Sequence, residues 1–237
     1  MTPELILLTI TAISIGFFHT LFGPDHYLPF IVMAQARKWS LPKTTLVTFL
    51  CGLGHVGSSV LLGMVGVAFG IAVRRLEFVE SFRGNVAALM FIAFGLVYFV
   101  WGLRRAFRNQ PHTHAHFHQG GHPHVHKHEH SNEHVHLHEK EKAVNITPWI
   151  IFTIFVFGPC EPLIPILMYP AAKNSIFGMV LVASVFSIVT ISTMLGIVLV
   201  STFGINFLPM QRLERYNHAL AGAAILLCGL AIQFLGL

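Results

Sequence analysis

Six apolar stretches, each long enough to cross a lipid bilayer as a helix, dominate this sequence. A spanning helix needs about 20 mostly apolar residues, and the stretches cover residues 4–36, 45–73, 86–103, 146–172, 176–203 and 219–237. Only 11% of the 237 residues are charged, whereas soluble domains carry about 25%. We therefore expect an all-α integral membrane protein, and we exclude a soluble enzyme, a nucleic-acid-binding module and a disordered chain.

The first and fourth stretches are too long for one simple helix, and each contains a Gly-Pro pair. Proline has no backbone N–H and clashes with the preceding turn, so it interrupts a helix. Membrane helices tolerate such interruptions where neighbouring elements satisfy the freed backbone groups. The sequence therefore predicts that the first and fourth helices are broken at Gly23-Pro24 and Gly158-Pro159.

The two halves of the chain resemble each other. Residues 19–36 align without a gap on residues 154–171, and both segments contain Phe-Gly-Pro. With three spans in each half, the halves insert in opposite directions, which is a transporter architecture with its site near the midplane. We expect two inverted three-helix repeats, residues 1–107 and 144–237, joined by a flexible histidine-rich loop, residues 108–143. The alternative is the general similarity of apolar helices.

The distribution of basic residues predicts the orientation. Eleven of the fifteen Lys and Arg residues lie in the connections after the first, third and fifth stretches. Cytoplasmic loops carry the excess of Lys and Arg. We therefore expect a multi-pass protein of a prokaryotic inner membrane, with both termini outside and the histidine-rich loop in the cytoplasm.

Ionisable residues inside membrane spans are rare and usually functional. In the repeat alignment, Asp25-His26 pairs with Cys160-Glu161. Imidazole and carboxylate groups suit first-row divalent metal ions. We predict a metal site between the halves, with the ligands His19, Asp25, His26, His55, Cys160 and Glu161. Alternatively, these groups bond to one another and to the broken backbone, and Cys160 is a small buried apolar residue.

Four hydroxyl side chains lie at similar depth in the second and fifth stretches: Ser58, Ser59, Thr190 and Thr193. Hydroxyl groups behind a metal site orient its ligands, and we place these four in that supporting position. Small polar residues also simply pack membrane helices together.

Twelve of the sixteen histidines lie in one segment. Histidine-rich tracts bind transition metals, so an auxiliary site is predicted at His112, His114, His116, His118, His122, His124, His126, His128, His130, His134, His136 and His138. Gly120-Gly121 and Pro123 predict that the segment has no regular structure. An artificial tag, a solvated linker and a pH-responsive segment are the alternatives.

Four segments together resemble the nickel/cobalt transporter superfamily, in particular its NicO and urease-accessory-type (UreH-like) transmembrane branch. They are HTLFGPDH at 19–26, LGHVGSSV at 53–60, the histidine loop and GPCEPLIP at 158–165. The first motif of the family maps onto His19, Asp25 and His26, and the second onto His55 with Ser58 or Ser59. The chain departs from the permease form, which has four residues between the histidine and Asp-His and has eight spans.

This resemblance implies a secondary transporter of Ni²⁺ or Co²⁺, with Zn²⁺ as a further candidate, working by alternating access. It implies no enzymatic activity and no cofactor besides the transported ion. The expected partners are the lipid bilayer, the divalent ion and a urease-type metallochaperone system, and no nucleic acid.

The segment GPCEPLIP also resembles the Gly-Pro-Cys motif of the thiol-electron-carrying membrane domains of cytochrome c biogenesis. Those domains use a cysteine in each half, whereas the repeat partner of Cys160 is Asp25. A membrane thiol-disulfide electron carrier built around Cys160 is therefore the second hypothesis. A metal sensor or metal chaperone that transports nothing is the third.

Overall fold

The computed structural model describes residues 2–108, 112–116, 124–128, 146–173, 175–205 and 214–236. These residues form eight α-helices and two short strands. The helices are α1 (Pro3–Phe22), α2 (Leu28–Arg37), α3 (Leu41–Ala68), α4 (Val73–Arg108), α5 (Thr147–Phe157), α6 (Leu163–Ala172), α7 (Ile176–Ile205) and α8 (Asn217–Leu235). The strands are β1 (His112–His116) and β2 (His124–His128).

Both predicted helix interruptions are present. Helix α1 starts behind Thr2, whose side chain accepts a hydrogen bond from the Leu5 N–H, and it ends at Phe22, directly before Gly23. A 3₁₀ turn, Pro24–His26, separates it from α2. In the second half, α5 ends before Gly158 and α6 starts at Leu163.

Among the described residues, five helical segments are long and apolar enough to cross a membrane: α1, α3, α4, α7 and the segment Glu214–Leu235 that contains α8. The protein is therefore a predominantly helical, multi-pass membrane protein in contact with lipid. The expected count of six spanning helices is corrected, because the fourth apolar stretch is divided into α5 and α6, which have 11 and 10 residues.

Helix α4 also starts earlier than the sequence suggests. It has 36 residues and includes residues 74–83, which the apolar pattern assigns to a connection. Its buried residues Leu76, Glu80, Gly84 and Ala88 follow one another at intervals of four, so the buried face of the helix continues through this charged segment.

Helix α4 packs closely against α8 through glycines. A side chain at Gly95, Gly102 or Gly222 would collide with backbone atoms of the facing helix. Small residues let membrane helices approach closely, so that van der Waals contacts hold them together. Elsewhere α1 packs on α7, and α3 packs on both α5 and α7.

An aromatic layer lies beneath the point where the broken helices meet. The Phe155 ring centroid lies 4.7 Å from that of Phe30 and 6.0 Å from that of Phe91. Phe30 and Phe155 are buried in the main apolar core. This layer supports the His55 ring, whose centroid is 6.2 Å from that of Phe155.

The two strands lie within the histidine-rich segment. They pair antiparallel, with His112 opposite His128 and His116 opposite His124. The expectation of no regular structure is wrong for these two stretches, because alternation with a period of two suits an extended strand. His118, His122, His130, His134, His136 and His138 lie outside the described residues.

Candidate functional site

Three of the predicted ligands, His19, His26 and His55, come together, and all three belong to the first half of the chain, so the expectation of ligands from both halves is corrected. One ring nitrogen of each lies within 4.8 Å of the others, and this is the one group of three or more metal-ligating side chains found among the described residues. The ring centroids of His19 and His26 are 4.7 Å apart, and those of His26 and His55 are 4.9 Å apart. His26 and His55 are 3% exposed. We call these three residues the histidine cluster.

The break after α1 creates this proximity. His19 lies in the last turn of α1, and His26 lies on the 3₁₀ turn that follows. In a continuous helix these residues would share a face but would lie about 10 Å apart along the axis. His55 joins them from the middle of α3, on the buried face that also contains Cys51 and Ser59.

Gly23 leaves room for the His26 ring. A Cβ atom at this position would lie 2.6 Å from His26 Nδ1, 2.9 Å from Asp25 Oδ1 and 3.0 Å from the His19 carbonyl oxygen. A real side chain would therefore displace the turn. The Gly-Pro pair thus ends the helix and also admits an imidazole close to the backbone.

The hydrogen bonds of His26 determine which ring nitrogen carries the proton. Its Nδ1 lies 3.1 Å from the Gly23 carbonyl oxygen and 3.1 Å from Asp25 Oδ1. Both oxygens accept, so Nδ1 is the donor and the lone pair lies on Nε2. The Nε2 atoms of His19, His26 and His55 are all buried and have no hydrogen-bond partner.

A buried ion pair, Glu80 with Arg83, holds the break between α5 and α6. Glu80 Oε1 accepts a 2.6 Å hydrogen bond from Arg83, and Oε2 accepts the Cys160 N–H at 3.1 Å. Arg83 donates to the Val156 carbonyl at 2.8 Å, at the end of α5. The guanidinium thus satisfies carbonyl groups that the ending helix leaves free.

Sequence reasoning missed this ion pair, because both residues lie in the segment that was assigned to a connection. One signal was available. Glu80 and Arg83 are three residues apart with opposite charges, which is the spacing of a pair on one face of a helix.

Two of the four predicted supporting hydroxyl groups contact Arg83. Ser58 Oγ accepts from Arg83 at 2.6 Å and donates to the His55 carbonyl at 2.8 Å, and Ser59 Oγ accepts from Arg83 at 3.3 Å. Thr190 is buried on α7 beside α1, near Gly16. Thr193 is half-buried on the same helix.

The structure does not bring Cys160 and Glu161 into the histidine cluster. Cys160 is fully buried in an apolar group with Ala12 and Phe186. Glu161 is exposed, which differs from the expectation that it lies deep in a span. Cys51, Cys160 and Cys228 are free thiols, all of them buried.

A cavity of about 760 Å³ adjoins the histidine cluster. His19, Asp25 and His26 line one wall, and Pro159 and Glu161 line another. Its lining residues on α4 extend only from 81 to 91. The histidine-rich segment follows residue 108, so about 25 Å of helix separates it from the cavity.

These features define a class: a multi-pass helical membrane protein with a buried polar centre where two broken helices meet. Residues 28–231 match the family described as the cytochrome C biogenesis protein transmembrane region. The match covers most of the chain, so the protein belongs to this family. No curated protein and no solved structure shows significant similarity to the chain.

The family match corrects two predictions. The chain is not assigned to the nickel/cobalt transporter superfamily, and nickel or cobalt transport loses the resemblance on which it rested. The motifs behind that resemblance are a few residues long, whereas the family match extends across both halves. The second resemblance, through GPCEPLIP, agrees with the match.

Proposed function

We propose that this chain is a membrane-embedded thiol-disulfide exchange protein of the cytochrome c biogenesis class, with Cys160 as the reacting sulfur. The observation that carries the proposal is the family match over residues 28–231, which includes Cys160. Cys160 follows Gly158-Pro159 in the non-helical segment between α5 and α6, where the backbone has more freedom than inside a spanning helix.

The surroundings of Cys160 support this role. Its backbone N–H is held by the buried carboxylate of Glu80. On its N-terminal side, Pro159 packs against Gly84, where an added Cβ atom would lie 3.0 Å from the proline ring. Helix α4 therefore fixes the resting position of this segment, in which Cys160 is buried.

The exchange needs thiols from partner proteins, because Cys51 and Cys228 lie on other helices and neither is bonded to Cys160. Cys160 gives up its proton and attacks a partner's disulfide, which forms a mixed disulfide and releases one partner thiolate. A thiol of a second, reduced partner then attacks the partner's sulfur of the mixed disulfide and displaces the Cys160 thiolate, and the other thiol of that second partner closes its own disulfide and releases the remaining thiolate of the first partner. The pair of electrons passes from the second partner to the first, and Cys160 returns to its starting state.

The route to Cys160 is through the cavity. Its neighbours Pro159, Glu161 and Pro162 line the cavity wall, while Cys160 itself is 0% exposed behind them. We propose that a displacement of this short non-helical segment exposes the sulfur to a partner in the cavity.

We further propose that the membrane arrangement has six crossings in two inverted halves, with α5 and α6 together forming one crossing. Equivalent contacts support it: α1 packs on α7, and its counterpart α5 packs on α3. Both termini are then outside a prokaryotic inner membrane. The outer side then has four of the fifteen Lys and Arg residues, against eleven on the inner side. Reporter fusions after residues 70, 140 and 237 test this orientation.

A cysteine series tests the thiol proposal. Cys160→Ser is compared in the native host with the matched controls Cys51→Ser and Cys228→Ser. Cells are quenched with acid, free thiols are alkylated, and mixed disulfides are separated on non-reducing gels. We expect Cys160→Ser alone to abolish the adducts and lower the content of c-type cytochromes. Unchanged adducts and cytochromes in Cys160→Ser would overturn the proposal.

A further inference from the structure

We propose that the histidine cluster is a transition-metal site of the Zn²⁺ type, with Nε2 of His19, His26 and His55 as its three protein ligands. The site is separate from Cys160, and the proposal does not depend on the thiol function.

The first argument is the burial of unpartnered nitrogens. Buried polar atoms almost always have a hydrogen-bond partner, and each exception in a folded protein calls for an explanation. Here three such atoms, one from each histidine, are buried without a partner in the same place. Three imidazoles that converge without bonding to one another leave their lone pairs for a shared cation.

The second argument is the orientation of His26. Its Nδ1 donates to Asp25 and to the Gly23 carbonyl, its Nε2 is buried without a partner, and the ring centroids of His19 and His55 lie 4.7 and 4.9 Å from its own. Metal-binding histidines usually donate their second ring nitrogen to a carboxylate or a carbonyl, which fixes the tautomer and increases the basicity of the ligand nitrogen. Asp25 thus acts as a positioning residue, and its charge offsets part of a cation's charge within the membrane.

The third argument concerns the metal and its open position. Three imidazoles with one open position are an arrangement of catalytic Zn²⁺ sites, with bonds of about 2.0–2.1 Å. Tetrahedral ligand nitrogens then lie about 3.4 Å apart, so the present spacing of up to 4.8 Å must contract. His19 and His26 line the cavity, so the fourth position is reached from it by water or a small anionic ligand.

The experiment uses the full chain in nanodiscs, with Co²⁺ as a spectroscopic probe and Zn²⁺ as a competitor. The single variants His19→Gln, His26→Gln and His55→Gln keep a polar side chain. The matched control is His218→Gln, a histidine that bonds to Tyr98 outside the cluster. Every variant retains the histidine-rich segment, so metal binding by that segment contributes equally to all of the measurements.

We expect wild type and His218→Gln to show the visible absorption of tetrahedral Co²⁺, which one equivalent of Zn²⁺ removes. Each cluster variant should lose this signal and bind Zn²⁺ at least about 10-fold more weakly. Equal signals and affinities in wild type and in a variant lacking all three cluster histidines would overturn the proposal. Cys160→Ser should keep the Co²⁺ signal, which distinguishes failure of the metal site from failure of the thiol function.

Discussion

The two broken helices of this protein are held in different ways. The first break is stabilised by its own residues: the His26 N–H donates to the Gly23 carbonyl, and the Tyr27 N–H donates to the Pro24 carbonyl. The second break is stabilised from a distance, because Glu80 and Arg83 on α4 satisfy the backbone of residues 156–160. These partners are more than 70 residues away along the chain.

Local and distant stabilisation position different functional groups at the two breaks. The first break is self-contained, and its own side chains provide two of the three clustered histidines. The second break depends on a buried charge pair, which positions the backbone of Cys160. We therefore expect substitutions on α4 to affect the second break and leave the first one intact.

Arg83→Ala should have the largest effect. It leaves the Glu80 carboxylate, which is 0% exposed, without its counter-charge, and breaking a buried pair in this way costs about 3–5 kcal/mol. The measurement is the free energy of unfolding in mixed micelles.

Two further variants serve as controls for Arg83→Ala. Lys38→Ala removes an exposed ion pair with Glu214 and should cost under about 1 kcal/mol. Replacing Glu80 and Arg83 together by leucine should cost less than Arg83→Ala alone. If Arg83→Ala lowers the free energy of unfolding no more than Lys38→Ala does, then the second break does not depend on α4.

Gly23→Ala should disturb the first break alone. The new Cβ atom would lie 2.6 Å from His26 Nδ1, and overpacking of this kind costs about 1–3 kcal/mol. Gly57→Ala is the matched control, because nothing lies within 4 Å of its added Cβ atom, and it should be neutral or stabilising. Differential scanning calorimetry of both variants checks the prediction, and equal melting temperatures would contradict it.

Asp25→Asn separates the fold of the first break from its chemistry. The amide keeps a similar shape but no longer supplies the charge that supports His26, so Zn²⁺ affinity should fall about 10–100-fold. Competition with a chromophoric chelator measures it. Mixed disulfides at Cys160 should persist, and their loss would mean that the two breaks are coupled.

Ser58→Ala should have the smallest effect. It removes one acceptor from Arg83, while the Val156 carbonyl and Glu80 remain. A hydrogen bond to a charged group contributes about 1.5–3 kcal/mol, and we expect the low end of this range because Arg83 keeps its other acceptors. Thermal unfolding compared with Ser187→Ala, whose hydroxyl bonds only within α7, measures the difference. If Ser58→Ala lowers the stability almost as much as Arg83→Ala does, then the Val156 carbonyl and Glu80 do not compensate for the lost contact.

Much of the first break could be predicted from sequence, because its interactions are local. Gly23-Pro24 signals the interruption, and His19 and His26 lie close to it along the chain. His55 could be assigned because an ionisable group in an apolar span needs a partner. The structure then explains how the interruption shortens the separation of the first two rings.

The second break could be predicted only in part. Gly158-Pro159 and the free thiol after it are visible in the sequence, but Glu80 and Arg83 resemble a charged connection near Arg74 and Arg75. The hydropathy pattern does not show that the charged segment 74–83 is helical. It also does not show that this segment is buried against the second half of the protein. The pairing depends on which helices meet in space.

The sequence by itself determined that the chain is a multi-pass helical membrane protein and where its helices break, because a bilayer constrains apolar length and backbone hydrogen bonding along the chain. The tertiary structure decided which polar groups share a site. It gathered His19, His26 and His55, placed Cys160 outside that group, and paired Glu80 and Arg83 with a distant break. Such partnerships follow from helix packing, in which residues far apart in the chain satisfy each other's hydrogen bonds.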